Sequence, residues 1–241
     1  GQPIDPEILQ REYEKVKRTG QVMRSTSSWQ PIGPSVVPSS GGGSGRINVC
    51  RVQPGNSNVI YIGAACGGVW KTSNGGTTWT PLADFLPSIS VADIAINPRH
   101  PDTVYVATGD GYGYETGGMF WGGTYSAGVM MSPDGGLTWQ TSGLGFLQTN
   151  SEIIQRLVIK PDEPEVLLAS TRHSLFRSAD GGRNWTAVRS GHHYDIEFHP
   201  TRPDTVFATS ETSLLWSLNG GLTWSVRQAA LCTGRLSLAL T

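Results

Sequence analysis

The stretch Ser178-Ala179-Asp180-Gly181-Gly182-Arg183-Asn184-Trp185 decides how the chain is organised, because the sequence contains four closely similar copies of it. The other copies begin at Ser73, Ser132 and Ser217 and end at Trp79, Trp139 and Trp224. Each copy has Asp or Asn directly before Gly-Gly, at Asn74, Asp134, Asp180 and Asn219. An Asp or Asn side chain caps a tight turn and glycine supplies positive φ angles, so the motif predicts a hairpin. Its repetition indicates that it is part of the architecture.

The segments between the motifs divide into strands in the same way each time. A first strand ends at a proline, at Pro54, Pro98, Pro161 and Pro200. An apolar second strand follows at 59–62, 104–107, 166–169 and 206–208, after a turn at 55–58 in the first repeat. A third strand runs into each motif, and a fourth begins at its Trp. Each repeat is therefore predicted to be a four-stranded antiparallel meander, which makes the chain all-β.

Two positions on the first strands recur in every repeat. Cys50 corresponds to Ile94, Leu157 and Ile196 and is therefore predicted to be a buried apolar thiol. The preceding position holds Val49, Asp93, Arg156 and Asp195. Charged groups on inner strands need hydrogen-bond partners, so these three are predicted to bond between repeats.

The ends of the chain are predicted to complete the repeats on either side. Residues 1–28 are predicted to be a short helix, starting at Asp5 and Pro6 and stopping at Gly20, with a linker. Residues 29–241 are predicted to form the repeat domain. The segment 28–32 matches 78–82, so it is predicted to be an outer strand that closes the ring. Residues 232–238 echo 44–49 and predict the first strand of a fifth repeat, and hence a longer protein.

The motif resembles the Asp-box, or BNR repeat, of sialidases, xyloglucanase-type glycoside hydrolases, sortilin-like receptors and photosystem assembly factors. The resemblance spans roughly residues 29–241 and implies a β-propeller of four-stranded blades, here an incomplete ring. It also implies that the boxes are structural hairpins on the rim. Fold alone does not fix function, so the activity is left open by this motif.

A finer resemblance is to large secreted proteins of Bacteroidetes. It is carried by the segments 29–34, 42–48 and 67–72, which read WQPIGP, GGSGRIN and GGVWKT. It implies a secreted or cell-surface protein exported by the type nine secretion system, with components of that system among its partners. It also implies a propeller that binds carbohydrate or protein.

Composition narrows the classes of partner. A net charge of −1 over 241 residues gives no electrostatic reason to expect nucleic acid. No apolar run approaches the roughly 18 residues of a membrane helix, so no membrane insertion is predicted. Cys66 and Cys232 fall near strand ends, which leaves a disulfide between them open. Residues 110–115 offer oxygen ligands to calcium but at lower density than a known calcium loop, so no cofactor is predicted.

Meander geometry places the boxes at one end and the links between strands two and three at the other, which we call the loop end. The longest such link is the insertion 109–125, which carries five aromatic side chains among glycines. Aromatic faces stack on sugars or peptide side chains, whereas in the alternative Phe120 and Trp121 fold back over a neighbouring blade. The predicted ligand-binding residues are Tyr112, Tyr114, Glu115, Phe120, Trp121, Tyr125, Arg46 and His192. Also expected at this end are Cys66, Arg172, His173, His193, Glu211 and Arg235.

These features favour a carbohydrate- or protein-binding module, with a glycoside hydrolase as the alternative. An inverting glycosidase needs two carboxyl groups about 6.5–9.5 Å apart. The acids available are Asp93, Asp110, Glu115, Glu152, Asp195 and Glu211, and no spacing singles out a pair. The Arg-Ile-Pro segment of sialidases is absent, since the stretch at Arg46 lacks the proline. Xyloglucanase-type enzymes match better, through the segments 67–70 and 107–110.

Overall fold

The computed structural model of the protein describes residues 45–83, 86–111 and 124–228, together with Arg11, Ser237 and Leu238. The described residues form four separate sheets, each of four strands. In every sheet the strands are antiparallel and are hydrogen-bonded in chain order. The predicted four-stranded meanders are therefore confirmed, and each sheet is called a blade below. No helix among the described residues is long and apolar enough to cross a bilayer.

The strand boundaries follow the repeat. Blade one comprises β1 (Ile47–Gln53), β2 (Asn56–Ala64), β3 (Val69–Thr72) and β4 (Thr80–Pro81). Blade two comprises β5 (Val91–Ile96), β6 (Val104–Thr108), β7 (Gly128–Ser132) and β8 (Gln140–Gly145). A single 3-10 turn, Gln148–Asn150, leads into blade three, which comprises β9 (Ile154–Ile159), β10 (Leu167–Thr171), β11 (Ser174–Ser178) and β12 (Thr186–Ser190). Blade four comprises β13 (Asp195–His199), β14 (Arg202–Thr209), β15 (Ser213–Ser217) and β16 (Ser225–Gln228).

Some predicted boundaries were wrong by a few residues. In blade one the predicted turn at 55–58 is shorter, because Pro54 and Gly55 alone make it, with Gly55 at φ 79°, and β2 starts at Asn56. In blade four β14 starts before Pro203, since His199 already pairs with Arg202. In blade three β10 starts at Leu167, one residue after the predicted start at 166. Each fourth strand likewise starts one residue after the box Trp.

Three apolar clusters hold consecutive blades together. Between blades one and two, Val49 and Tyr61 pack with Val91 and Val104. Between blades two and three, Tyr105 and Val129 belong to the cluster that contains Ile154, Leu157 and Leu167. Between blades three and four, Leu168 and Leu175 pack with Ile196, Phe198 and Val206. Within the described part of the chain, no such cluster connects blade four to blade one.

Cys50 is exposed, which contradicts the prediction that it is buried. Its counterparts Ile94, Leu157 and Ile196 are each at most 1% exposed, and each lies in the cluster shared with the preceding blade. Side chains alternate between the two faces of a strand, so Val49, which packs toward blade two, turns Cys50 to the opposite face. None of the described residues forms a blade on that side.

Several predictions lie outside the described residues. They concern the strand at Trp29, Cys232 with its disulfide, Arg235, and most of the insertion, which is undescribed from 112 to 123. Within the predicted N-terminal helix only Arg11 is described, and its backbone is helical. All of these remain predictions.

Candidate functional site

The boxes lie at the same end of each blade as the turn between the first two strands. In every box the first glycine N–H donates to a carbonyl beside that turn. The acceptors are Asn58, Asp102, Glu165 and Asp204, at 2.9, 2.7, 2.9 and 2.9 Å. This box end is opposite the loop end, so the boxes are well separated from the links that carry the predicted ligand-binding residues.

Within a box, one hydroxyl and one Asp or Asn side chain fix the turn. In blade three Ser178 Oγ donates to Asp180 Oδ1 at 2.9 Å and accepts from the Gly182 N–H at 2.9 Å. Asp180 Oδ1 accepts from the Asn184 N–H at 2.9 Å. Hydrogen bonds from the backbone and side chain of Asn184 lower the pKa of Asp180 to about 2. The carboxylate therefore closes the turn in its ionised form.

Blade one uses a threonine where the other boxes use serine. Thr72 Oγ1 donates to Asn74 Oδ1 at 2.8 Å and accepts from the Gly76 N–H at 3.0 Å. The predicted box start at Ser73 was wrong by one residue, because Thr72 occupies the position equivalent to Ser178. A repeated Thr/Ser-x-Asx spacing in the sequence could have revealed this.

The boxes of blades two, three and four are each also held by the blade before them. Tyr61 Oη donates to the Gly135 carbonyl at 3.3 Å, and Tyr105 Oη donates to the Gly181 carbonyl at 3.0 Å. In blade three Arg177 Nε donates to the Gly220 carbonyl at 2.9 Å. The two tyrosines occupy the same position on β2 and β6, a signal that the sequence analysis missed.

A chain of ion pairs crosses the inner strands and confirms that Asp93, Arg156 and Asp195 bond between blades. Asp93, 1% exposed, accepts from Arg51 at 2.8 Å and lies 3.4 Å from Arg156. Arg156 donates from Nε to Asp195 at 2.9 Å and also contacts Glu197. Asp93 Oδ2 accepts from the backbone N–H of Leu157 on the next blade at 2.9 Å. Burial would lower the pKa of Arg156, but the three carboxylates outweigh it and raise that pKa. This arrangement is a brace between blades.

At the loop end, the two stems of the blade-two insertion are firmly anchored. The Gly109 N–H donates to the Ser90 carbonyl at 2.8 Å, and the Asp110 N–H donates to the Thr124 carbonyl at 2.9 Å. The Asp110 carboxylate is buried and pairs with Arg46, while Asn48 donates to it at 3.2 Å. Asp110 and Gly111 are the described members of the segment 110–115 considered above for calcium, and the Asp110 carboxylate is held by these two donors. The insertion is thus fixed to blade one at its base.

A second polar group lies at the loop end where blades three and four meet. The turn between β10 and β11 carries Arg172 and His173, and Thr171 Oγ1 accepts from the backbone N–H of His173 at 3.3 Å and of Ser174 at 3.0 Å. His173 Nδ1 lies 2.9 Å from the buried carboxylate of Glu152. From the sequence, His173 was expected at this end and Glu152 was one of the available acids, but nothing paired the two.

The link into blade four adds two histidines. The His192 ring lies against Tyr194, with centroids 4.1 Å apart, and burial lowers the pKa of His192. His193 points inward and is 2% exposed, and burial lowers its pKa to about 4. Its Nδ1 has no hydrogen-bond partner among the described residues. The adjacent histidines thus have separate environments, as alternation along an extended chain requires.

Three of the eight predicted ligand-binding residues are described, and all three lie at the loop end. Arg46 and His192 belong to separate polar groups, and Tyr125, at the second stem of the insertion, is half-buried. The remaining predicted members are Tyr112, Tyr114, Glu115, Phe120 and Trp121, which lie outside the described residues. Cys66, His193 and Glu211 were also expected at this end and belong to the links that form it.

No family model matches the chain. A xyloglucanase of Paenibacillus sp is 29% identical over 162 residues, which are 63% of this chain and 15% of the relative. Xyloglucanase Xgh74A of Acetivibrio thermocellus is 29% identical over 164 residues, which are 62% of this chain and 18% of the relative. This chain therefore spans less than a fifth of either relative.

The crystal structure of an ancestral GH74 enzyme superposes with a TM-score of 0.64 at 20% identity, covering 83% of this chain and 25% of that one. The fold is a β-propeller. At this identity the structural likeness carries the fold alone. The propeller is an incomplete ring in the residues described, which agrees with the partial coverage of its neighbour.

Proposed function

We propose that this propeller recognises a polysaccharide of the xyloglucan class at its loop end, as part of a larger glycoside-hydrolase-like protein. The observation that carries the proposal is the similarity to two xyloglucanases over more than 60% of the chain. The proposal includes secretion or display at the cell surface, where such polysaccharides are met. Export by the type nine system rests on the resemblance of the segments 29–34, 42–48 and 67–72.

The loop end has features that suit glycan recognition. A scaffold of packed blades presents its functional side chains on links, and the blade-two insertion has two stems fixed by backbone hydrogen bonds. Asp110 with Arg46, and Glu152 with His173, give polar groups of fixed orientation beside it. Sugar rings are bound by such polar groups together with aromatic faces, which the insertion supplies in its sequence.

Hydrolysis of the same polysaccharide is the second candidate, and the names of the relatives favour it. The described carboxylates are nearly all engaged: Asp93 and Asp195 by arginines, Asp110 by Arg46 and Glu152 by His173. A catalytic pair would then draw on Glu115 or on residues of the larger protein. The described residues therefore favour recognition as the contribution of this chain.

The test is titration of the protein with xyloglucan, and with cellulose and mannan as competitors, by calorimetry and by release of reducing sugar. Trp121→Ala should abolish binding, whereas Leu137→Ala, at a box-end side chain that is 79% exposed, is the control and should bind like the parent. Binding without turnover supports recognition. Turnover that is lost in Glu115→Gln would replace it with hydrolysis, and a parent that binds none of the polysaccharides would reject both.

A further inference from the structure

Glu152 is a buried carboxylate whose only side-chain partner in the described structure is an exposed histidine. The Glu152 side chain is 7% exposed, and that of His173 is 55% exposed. Glu152 Oε1 accepts from the neighbouring Ile153 N–H at 3.2 Å, and Oε2 lies 2.9 Å from His173 Nδ1. Burying a carboxylate is costly unless it is well hydrogen-bonded. A histidine needed only to neutralise it would be expected to be buried with it.

The contact fixes which nitrogen of His173 carries the proton. An ionised carboxylate only accepts hydrogen bonds, so Nδ1 donates and Nε2 keeps its lone pair. The backbone below the ring is also held, because the Gly191 N–H donates to the His173 carbonyl at 2.8 Å and Thr171 Oγ1 accepts the His173 N–H. Orientation of a histidine by a carboxylate is the usual way to set one ring nitrogen for an outside partner. Here Nε2 is on the side of the ring away from Glu152.

We propose that Glu152 and His173 form a pre-oriented hydrogen-bond acceptor. In it, His173 Nε2 accepts a hydrogen bond from a hydroxyl group of the bound polysaccharide, and Glu152 is the positioning residue. This inference rests on the proposed function and identifies His173 as a residue that contacts the ligand. A hydroxyl on a neutral sugar is the chemistry that fits, because a lone pair on an uncharged ring accepts an O–H without needing a charged ligand.

The first experiment is calorimetric titration with xyloglucan at pH 8. His173→Ala should bind about three- to tenfold more weakly than the parent, the range expected for loss of one hydrogen bond. Glu152→Gln should lie between the two. His100→Ala, at an exposed histidine of the box end, is the matched control and should bind like the parent. Unchanged affinity in His173→Ala would overturn the inference.

The second experiment measures the tautomer of the His173 imidazole and needs no ligand. Nitrogen-15 shifts of the imidazole at pH 8 should show the proton on Nδ1 in the parent and a mixture of tautomers in Glu152→Gln. A parent ring protonated on Nε2 would overturn the inference even if the polysaccharide binds. If the parent binds no polysaccharide, the proposed function fails, and the tautomer then decides for or against the Glu152–His173 acceptor by itself.

Discussion

His193 shows how one buried side chain makes the stability of the propeller depend on pH. Its ring is 2% exposed, and burial holds its pKa near 4, well below the ordinary 6.5. Between these values the unfolded chain binds a proton that the folded protein excludes. Stability is therefore complete above pH 6.5 and falls as the pH drops toward 4, where the folded protein also takes up the proton.

We therefore predict that the free energy of unfolding decreases by about 3 kcal/mol between pH 7 and pH 4 through His193 alone. Urea unfolding at several pH values measures it. His193→Gln should remove most of this slope whatever its own stability, while His100→Gln, at the exposed box-end histidine, should keep it. Parallel slopes for the parent and His193→Gln would contradict the prediction.

The box carboxylates Asp134 and Asp180 affect stability at lower pH than His193 does, because hydrogen bonds hold their pKa near 2.

In each box the turn is held by a Ser or Thr hydroxyl as well as by the Asp or Asn side chain. In blade one Thr72 is 1% exposed, and its Oγ1 bonds to Asn74 Oδ1 and to the Gly76 N–H. Replacing that hydroxyl with a methyl group leaves the Gly76 N–H without its acceptor inside the turn. The exposed Thr77 donates to the Asn74 carbonyl at 3.1 Å, where water can substitute.

Thr72→Val is therefore predicted to lower the free energy of unfolding by about 1–3 kcal/mol, since the half-buried Gly76 N–H loses its acceptor and the buried hydroxyl loses both of its hydrogen bonds. Thr77→Val has the same change in shape and is the matched control, with an expected effect within about 0.5 kcal/mol. Thermal melts of both variants measure the difference. Glycan binding should be unchanged in both, because the boxes lie at the end opposite the binding links. Equal melting temperatures for the two variants would show that the hydroxyl at position 72 is dispensable.

Sequence reasoning succeeded at this scale wherever a residue follows the repeat. Alignment of the repeats puts like residues on like positions. It therefore predicted the four meanders, the separation of the box end from the loop end, and the bonding of Asp93, Arg156 and Asp195 between blades. It failed for Cys50, whose position is buried only when a blade precedes it. It also missed the contacts of Tyr61 and Tyr105 with the next box, although the two tyrosines share a repeat position that could have revealed them. The Glu152–His173 pair was missed because the two residues lie on different links, and no periodicity reports such a contact.

At the scale of the described propeller, polar braces between inner strands join each blade to the next. Arg156 in blade three contacts carboxylates of both blade two and blade four. Its planar guanidinium presents its donors in a fixed fork, so it holds these carboxylates in defined directions. The apolar clusters supply the packing, and these braces set how one blade is seated on the next.

The same brace extends beyond blade four. Asp195 Oδ2 accepts from the Leu238 N–H at 2.8 Å, as Asp93 Oδ2 accepts from the Leu157 N–H at 2.9 Å two blades earlier. A carboxylate on one inner strand thus binds the backbone of the next, and residues 237–238 lie where the sequence predicts the first strand of a fifth blade. A hydrogen bond in that position protects the amide from exchange with solvent.

We therefore predict that the Leu238 amide exchanges slowly in hydrogen-exchange measurements, although few residues follow it in the sequence. Leu157, in the established blade three, is the internal reference, and protection of the two amides should differ less than either differs from an unstructured peptide. Asp195→Ala should release Leu238 selectively, and Asp93→Ala should release Leu157, because each substitution removes only one of the two acceptors. If Leu238 exchanges at the rate of an unstructured peptide in the parent, Asp195 does not hold a fifth inner strand.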